Sequence, residues 1–341
     1  MLYVYNIYMD IRIVNLRAIA ILIVVLGHSI ILYDPSWGLY HSEVAMPMFE
    51  LIKRYLINPI QMPIFFFISG FLFYRSINKT VSPSFGKFFR SKFLRLIVPY
   101  FCIAMLWMNP IKWLVRAPGY ENFSDCLTIL KYQFLFSGSL GHLWYLPTLF
   151  GVFLIVFLCL LWFNSIPECR SRKFLHVSLF ILFLLSHYLS AYFPSYFCLS
   201  SIAYYLIFFF VGYLLSYNIS CMNLLCSSFT NIRWIGYVCW LIFLFCACYF
   251  THLRAIFVIL FVSISYLLIP DKTNKFIRSI SDNSFGIYLF HSPLIYIIYA
   301  YYTNSNPWLV LFLNFIVMGT ISYLLTYYIS KTKLKFIIGG K

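Results

Sequence analysis

Apolar runs long enough to cross a bilayer recur along the whole of this 341-residue chain, and that recurrence leaves few folds open. Inside hydrocarbon every backbone polar group must find a partner within the protein, so only helices or a closed barrel can span. Runs of about 17 to 25 residues suit helices. Ten are predicted, at about residues 13–32, 59–77, 96–115, 142–163, 174–192, 200–217, 234–250, 254–270, 285–302 and 307–329. Composition agrees, since 62% of residues are hydrophobic and only 10% are charged, far from the balance of a water-soluble domain. The 22% share of aromatic residues suits helices with Tyr and Trp belts at the membrane edges. The expected fold is therefore an all-α integral membrane protein, a single bundle of about ten transmembrane helices over residues 1–341.

The charges supply an orientation. If the N-terminus is cytoplasmic and every run crosses, 19 of the 25 Lys and Arg fall on the cytoplasmic side, around Arg12 and Arg17, Arg75 to Arg95, Arg170 to Lys173, Arg233, Lys272 to Arg278 and the Lys331 to Lys341 tail. Only Lys53, Arg54, Lys112, Arg116, Lys131 and Arg254 fall outside. That bias is what the positive-inside rule requires of a chain whose two termini are both cytoplasmic. The formal net charge of +16 is thus mostly topology, and its spread over membrane-edge loops excludes a nucleic-acid partner.

No large soluble domain is available. The longest connections are expected at about 33–58 and 116–141 outside and 78–95 inside. The first run carries Arg17 and ends in His28 rather than in a small-residue cleavage site, so it is expected to be retained. The ten cysteines form no CxxC pair or metal-ligand spacing; no metal site is expected, and Cys126 with Cys198 is the one disulfide the topology would allow. No internal repeat is evident, unlike many transporters.

Two ionisable side chains stand inside the first run, Arg17 and His28. Burying such groups in lipid is costly, so both must face protein or water, and each is a functional candidate for that reason. They are eleven residues apart, which returns them to nearly the same helix face about 16 Å apart along the axis.

The run RIVNLRAIAILIVVLGHS resembles the signature of the membrane acyltransferase-3 family, bacterial proteins that O-acylate sugars of cell-surface polysaccharides. PIFFFISGFLF (Pro63 to Phe73), FRSKFLRLIVPY (Phe89 to Tyr100), GHLWYL (Gly141 to Leu146) and SFGIYLFHSPLI (Ser284 to Ile295) are similar to further pieces of that family, in the same order. The resemblance implies no bound cofactor. It implies acyl-CoA, acetyl-CoA by expectation, as donor on the cytoplasmic side of a bacterial inner membrane. The acceptor would be a hydroxyl of a surface polysaccharide, such as a lipopolysaccharide O-antigen, or of its lipid-linked precursor.

With that resemblance, His28 is the candidate general base for the acceptor hydroxyl, an acyl-imidazole intermediate being the other route. The ordinary alternative is a histidine hydrogen-bonded between helices. Arg17, Lys92 and Arg95 are candidates for the anionic end of acyl-CoA, since cations at i and i+3 share a helix face. As positive-inside anchors they would need no such role. The family's Arg-x-x-Arg here reads Lys-x-x-Arg, and lysine binds phosphate only as a point charge.

His142, Trp144 and Tyr145 are candidates for holding the acceptor, against a plain role as interfacial belt residues. The glutamate that many relatives carry after the Trp is missing from WYLPTLFG, leaving Glu43, Glu50, Glu121 and Asp125 as outer acids. His291 is a candidate for the acyl path, or merely fills the hydrogen-bonding gap that Pro293 leaves. Ser69 and Gly70 read as a close helix contact. Two rival readings stand beside the enzyme: a transporter or flippase for a glycan or acyl carrier, and a scaffold in which Arg17 and His28 only knit helices.

Overall fold

The computed structural model describes residues 10–40, 42–77, 84–137, 141–164, 169–219 and 233–340, and among them there is no strand. Eleven principal helices follow one another: α1 (Ile11–Ser29), α2 (Pro47–Ile77), α3 (Phe85–Leu114), α4 (Phe123–Phe134), α5 (Tyr145–Asn164), α6 (Cys169–Tyr188), α7 (Leu199–Tyr217), α8 (Arg233–Tyr249), α9 (Arg254–Leu268), α10 (Lys275–Tyr302) and α11 (Pro307–Ile329). Among the described residues seven helical stretches are long and apolar enough to cross a membrane, those of α1, α2, α3, α5, α7, α9 and α11. Lys173–Tyr188 in α6 and Trp234–Tyr249 in α8 are shorter apolar helices. The 28-residue α10 carries a polar, buried face.

Three helical stretches differ from expectation, and two of them carry widened turns ahead of prolines. The segment 33–58, expected as a connection, is largely helical from Pro47 onward, and α3 begins at Phe85 rather than near 96. Within these helices π-helical turns run over Ile52–Ile57, Phe93–Ile97 and Ala104–Met108, each ending two residues before a proline (Pro59, Pro99, Pro110). Proline lacks the N–H that the carbonyl four residues earlier needs, and its ring crowds that carbonyl, so the preceding turn widens. One released carbonyl, that of Tyr55, accepts the thiol of Cys248 instead. The second expected connection, 116–141, likewise contains α4.

Helices α2 and α7 meet backbone to backbone. A β-carbon on Gly70 would stand 1.8 Å from the Phe209 carbonyl oxygen, and one on Gly212 would stand 2.0 Å from that of Phe67. Gly70 therefore serves close packing, as the sequence suggested.

Hydrogen bonds tie the helix ends into two sets. At one end Asp10 accepts from the Tyr266 hydroxyl (2.7 Å) and pairs with Arg75 (3.4 Å), while the Asn15 amide donates to the carbonyls of Pro270 and Lys272. At the other, the Ser42 hydroxyl donates to the Thr303 carbonyl and the Glu43 N–H to Asn304. Helices α1 and α10 therefore run side by side in the same sense, with Arg17 beside Ser281 and His28 beside His291. Cys198 carries a free thiol that points to the Phe136 carbonyl, so it forms no disulfide with Cys126, whose side chain lies outside the described residues.

Candidate functional site

Three histidines from three helical segments converge inside the bundle. His28 comes from the last turn of α1, His291 from the middle of α10, and His142 from the 3-10 turn Gly141–Trp144 that leads into α5. The ring centroids of His28 and His291 are 4.9 Å apart and those of His142 and His291 are 5.6 Å apart. His142 and His291 are buried.

Backbone carbonyls, which only accept, assign the proton on each ring. His28 Nδ1 donates to the Val24 carbonyl at 2.9 Å, one turn back on its own helix, and also faces His291 Nε2 at 3.2 Å. His291 Nδ1 donates to the carbonyls of Ile287 (3.0 Å) and Tyr288 (2.9 Å), which leaves His291 Nε2 as the acceptor for His28. The basic lone pair of His28 is therefore on Nε2. An imidazole held by one nitrogen and open at the other is the arrangement a general base requires. Among the described residues the cluster forms no metal-holding group.

Proline recruits the third histidine. Pro293 lies inside α10 and leaves the Leu289 carbonyl without its helical N–H, and His142 Nε2 donates to that carbonyl at 3.1 Å. The next carbonyl, of Phe290, takes the Trp107 indole N–H at 3.2 Å, and the Tyr288 hydroxyl donates to the His142 carbonyl. His291 itself does not fill the gap at Pro293; His142 does. Replacing Pro293 with Ala supplies an N–H that competes for the Leu289 carbonyl and releases His142. We expect Pro293→Ala to melt no lower than wild type, because an interior proline costs a helix about 3 kcal/mol, while acyl transfer falls about tenfold if His142 orients the cluster. Unchanged activity would make His142 a packing residue only.

The remaining candidates divide. Tyr145 lies edge-on to Tyr288 (5.5 Å) and hydrogen-bonds Ser69 at 3.2 Å, so it belongs with the histidines. Trp144 turns the other way, packs on Tyr205 (5.3 Å), and lines a separate cavity of about 320 Å³ with Tyr204, Ser200 and Ser201. Of the acids expected outside, Glu50 pairs with Arg54, Glu121 accepts from Gly119 and Asp125 caps α4, while at Glu43 it is the backbone N–H that bonds Asn304. The side chain that touches the His28 ring is a second imidazole, His291, rather than a carboxylate.

At the other end of α1, Arg17 donates from Nε to Ser281 (2.8 Å) and from Nη2 to Asp282 (3.2 Å) on α10. Arg95 lies one α10 turn further on. A β-carbon on Gly339 would stand 3.3 Å from Arg95 Cγ and 3.2 Å from Phe285, so Arg95 shares the mouth with Arg17. Lys92 does not join them. Its ammonium sits 3.7 Å over the Phe153 ring and 5.5 Å from that of Phe88. The expected shared face assumed α-helical turns, but Arg95 lies inside the π stretch Phe93–Ile97, where residues three apart point to different sides. Lys53 and Lys112, expected on the outer face, are buried, at 3% and 7% exposure.

Fold and site together define a multi-pass helical membrane protein with a histidine cluster inside the bundle and two arginines, Arg17 and Arg95, toward the opposite end of the same helix. The acyltransferase-3 family model, described as an acyltransferase domain, matches residues 8–330, and the chain belongs to that family. It is a membrane acyltransferase. No curated protein and no solved structure matches the chain.

Proposed function

We propose that the protein moves an acyl group, acetyl by expectation, from acyl-CoA in the cytoplasm to a hydroxyl of a cell-surface polysaccharide or its lipid-linked precursor on the far side of a bacterial inner membrane. The observation that carries this reading is the bonding of His28. Its Nδ1 is committed to Val24 and His291, its Nε2 is open, and it stands at the end of α1 opposite the arginine that meets Ser281 and Asp282. In this reading the acceptor oxygen attacks the thioester carbonyl as His28 Nε2 takes its proton. The C–S bond then breaks, and the coenzyme A thiolate leaves with the proton that the His28 imidazolium releases, which restores the base. The imidazolium formed on His28 keeps its Nδ1 bonds to the Val24 carbonyl and to His291 Nε2, which spreads the charge without a carboxylate.

The donor reading rests on Arg17 and Arg95 at the α10 mouth, with Lys92 a lesser contributor held against Phe153. The topology reading takes ten crossings, from the seven long apolar stretches, the two shorter helices and α10, with both termini cytoplasmic. The charge bias and the pairing of helix ends support it. Mass analysis of surface polysaccharide from cells with and without the gene tests the activity. Glycan carrying the extra acyl mass only when the gene is present is the expected result, and identical glycans in both would remove the proposal.

A further inference from the structure

Among the described residues, Lys53 and Lys112 are the two buried ammonium groups, and the acyl-transfer chemistry does not use them. They occupy matching positions. Lys53 Nζ lies 3.1 Å from where a β-carbon on Gly27 would stand, and Lys112 Nζ lies 3.4 Å from the same point on Gly141. Those glycines immediately precede His28 and His142. In both places the absent side chain lets an ammonium reach the backbone beside a clustered histidine.

Neither lysine has an ion-pair partner among the described residues. Asp34, the acid whose field reaches Lys53, makes no ion pair with it and accepts at Oδ1 from the Ser36 N–H (3.0 Å) and hydroxyl (2.6 Å). Lys112 sits over the Tyr296 ring at 4.4 Å, and a cation–π contact of this kind offsets only part of the cost of removing an ammonium from water. Other polar atoms beside them also lack partners. Gln61 Oε1 lies 2.9 Å from the Gly27 β-carbon position and, like the Tyr40 hydroxyl, is buried without a hydrogen bond. Tyr40 and Trp37 pack against both Tyr296, under Lys112, and Tyr299, whose hydroxyl donates to the His28 carbonyl at 2.6 Å. These rings thus link Lys112, through Tyr296, to the backbone of His28, through Tyr299, while Lys53 stands beside the neighbouring Gly27. Buried cations call for an anion, and the unpartnered Gln61 oxygen calls for a donor such as a sugar hydroxyl.

We propose that Lys53 and Lys112 bind an anionic group, phosphate or carboxylate, carried by the acyl acceptor beside the hydroxyl that His28 deprotonates. The proposal rests on the acyltransferase reading of His28 and narrows its acceptor to an acidic one. A sugar on a lipid diphosphate and an acidic sugar in a polymer offer the same chemistry.

The test uses the purified full-length protein in nanodiscs and reads its melting temperature with inorganic pyrophosphate, D-glucuronate or D-glucose. Wild type should be stabilised by pyrophosphate if the source is a lipid diphosphate and by glucuronate if it is an acidic sugar, and glucose should have no effect. Lys53→Met and Lys112→Met should each weaken the anion's apparent Kd about ten- to a hundredfold. Replacing an uncompensated buried charge by an apolar side chain of similar length should not lower the melting temperature without ligand, and Lys53→Arg with Lys112→Arg should retain the anion shift. No shift in wild type with either anion, or a shift that survives in the double Met variant, would overturn the proposal. Coenzyme A binding is read in parallel. Its absence from wild type alongside a lysine-dependent anion shift would remove the donor reading and leave the anion site standing, and the converse pattern would do the reverse.

Discussion

Replacing His28 with Asn should leave the protein folded and inserted while acyl transfer falls by about a hundredfold to ten-thousandfold, the range that a positioned general base contributes. Asn is the informative choice because its amide N–H sits close to where Nδ1–H of the imidazole stood. It can keep the bond to the Val24 carbonyl, and with it the last turn of α1, but has no basic nitrogen. His28→Ala removes both. If the two variants lose activity equally while Asn keeps the melting temperature, the role is chemical. If Asn retains activity, His28 is a knitting residue and the base lies elsewhere. His291→Asn should be milder, about tenfold, because His291 touches His28 Nδ1 rather than substrate, and its loss should appear in kcat more than in KM.

The second large effect is expected at the opposite mouth. Arg17→Ala should raise the KM for acyl-CoA about ten- to a hundredfold and leave acceptor use near normal, since a lost charge-assisted contact to phosphate is worth about 1.5–3 kcal/mol. Arg95→Ala should act in the same direction, and Lys92→Ala less, because that ammonium is drawn onto Phe153. Arg17 also bonds Ser281 and Asp282, so its removal loosens α1 from α10. Asp282→Asn separates the two effects. It removes the half-exposed carboxylate that shares the guanidinium and should leave the KM for acyl-CoA unchanged or lower it, whereas a purely structural Arg17 would make Asp282→Asn resemble Arg17→Ala. Direct binding of acyl-CoA to the purified variants checks this, and unchanged affinity in both arginine variants would return them to membrane-edge anchors.

Hydrophobic run length and charge asymmetry are local properties, and they carried much of the architecture. The helices Leu199–Tyr217, Arg233–Tyr249, Arg254–Leu268 and Pro307–Ile329 fall within a residue or two of the runs read from the sequence. The family, too, was legible from ordered motifs, and its model spans residues 8–330. The spacing of Arg17 and His28 placed them at opposite ends of one helix, which the structure keeps. Run length misplaced the start of α3 because its first turns are amphipathic and basic, and it missed the helical part of 33–58 because Pro59 reads as a break.

Contacts between residues far apart in the chain were beyond that reading. Pro293 announces that the Leu289 carbonyl loses its helical partner, but only packing decides that His142, from another segment, takes it. Lys53 and Lys112 count as outer-face charges in the tally of topology, yet two glycines let them approach the histidine cluster. Lys92 and Arg95 share a face on an ideal helix and part on a real one, because a π turn rotates the second away. The sequence by itself determined the membrane, the helices and the acyltransferase family, since these follow from hydropathy and local pattern. Tertiary structure decided which nitrogen of His28 is free and which cations face the cluster, because each depends on the partner a buried polar group finds across the bundle.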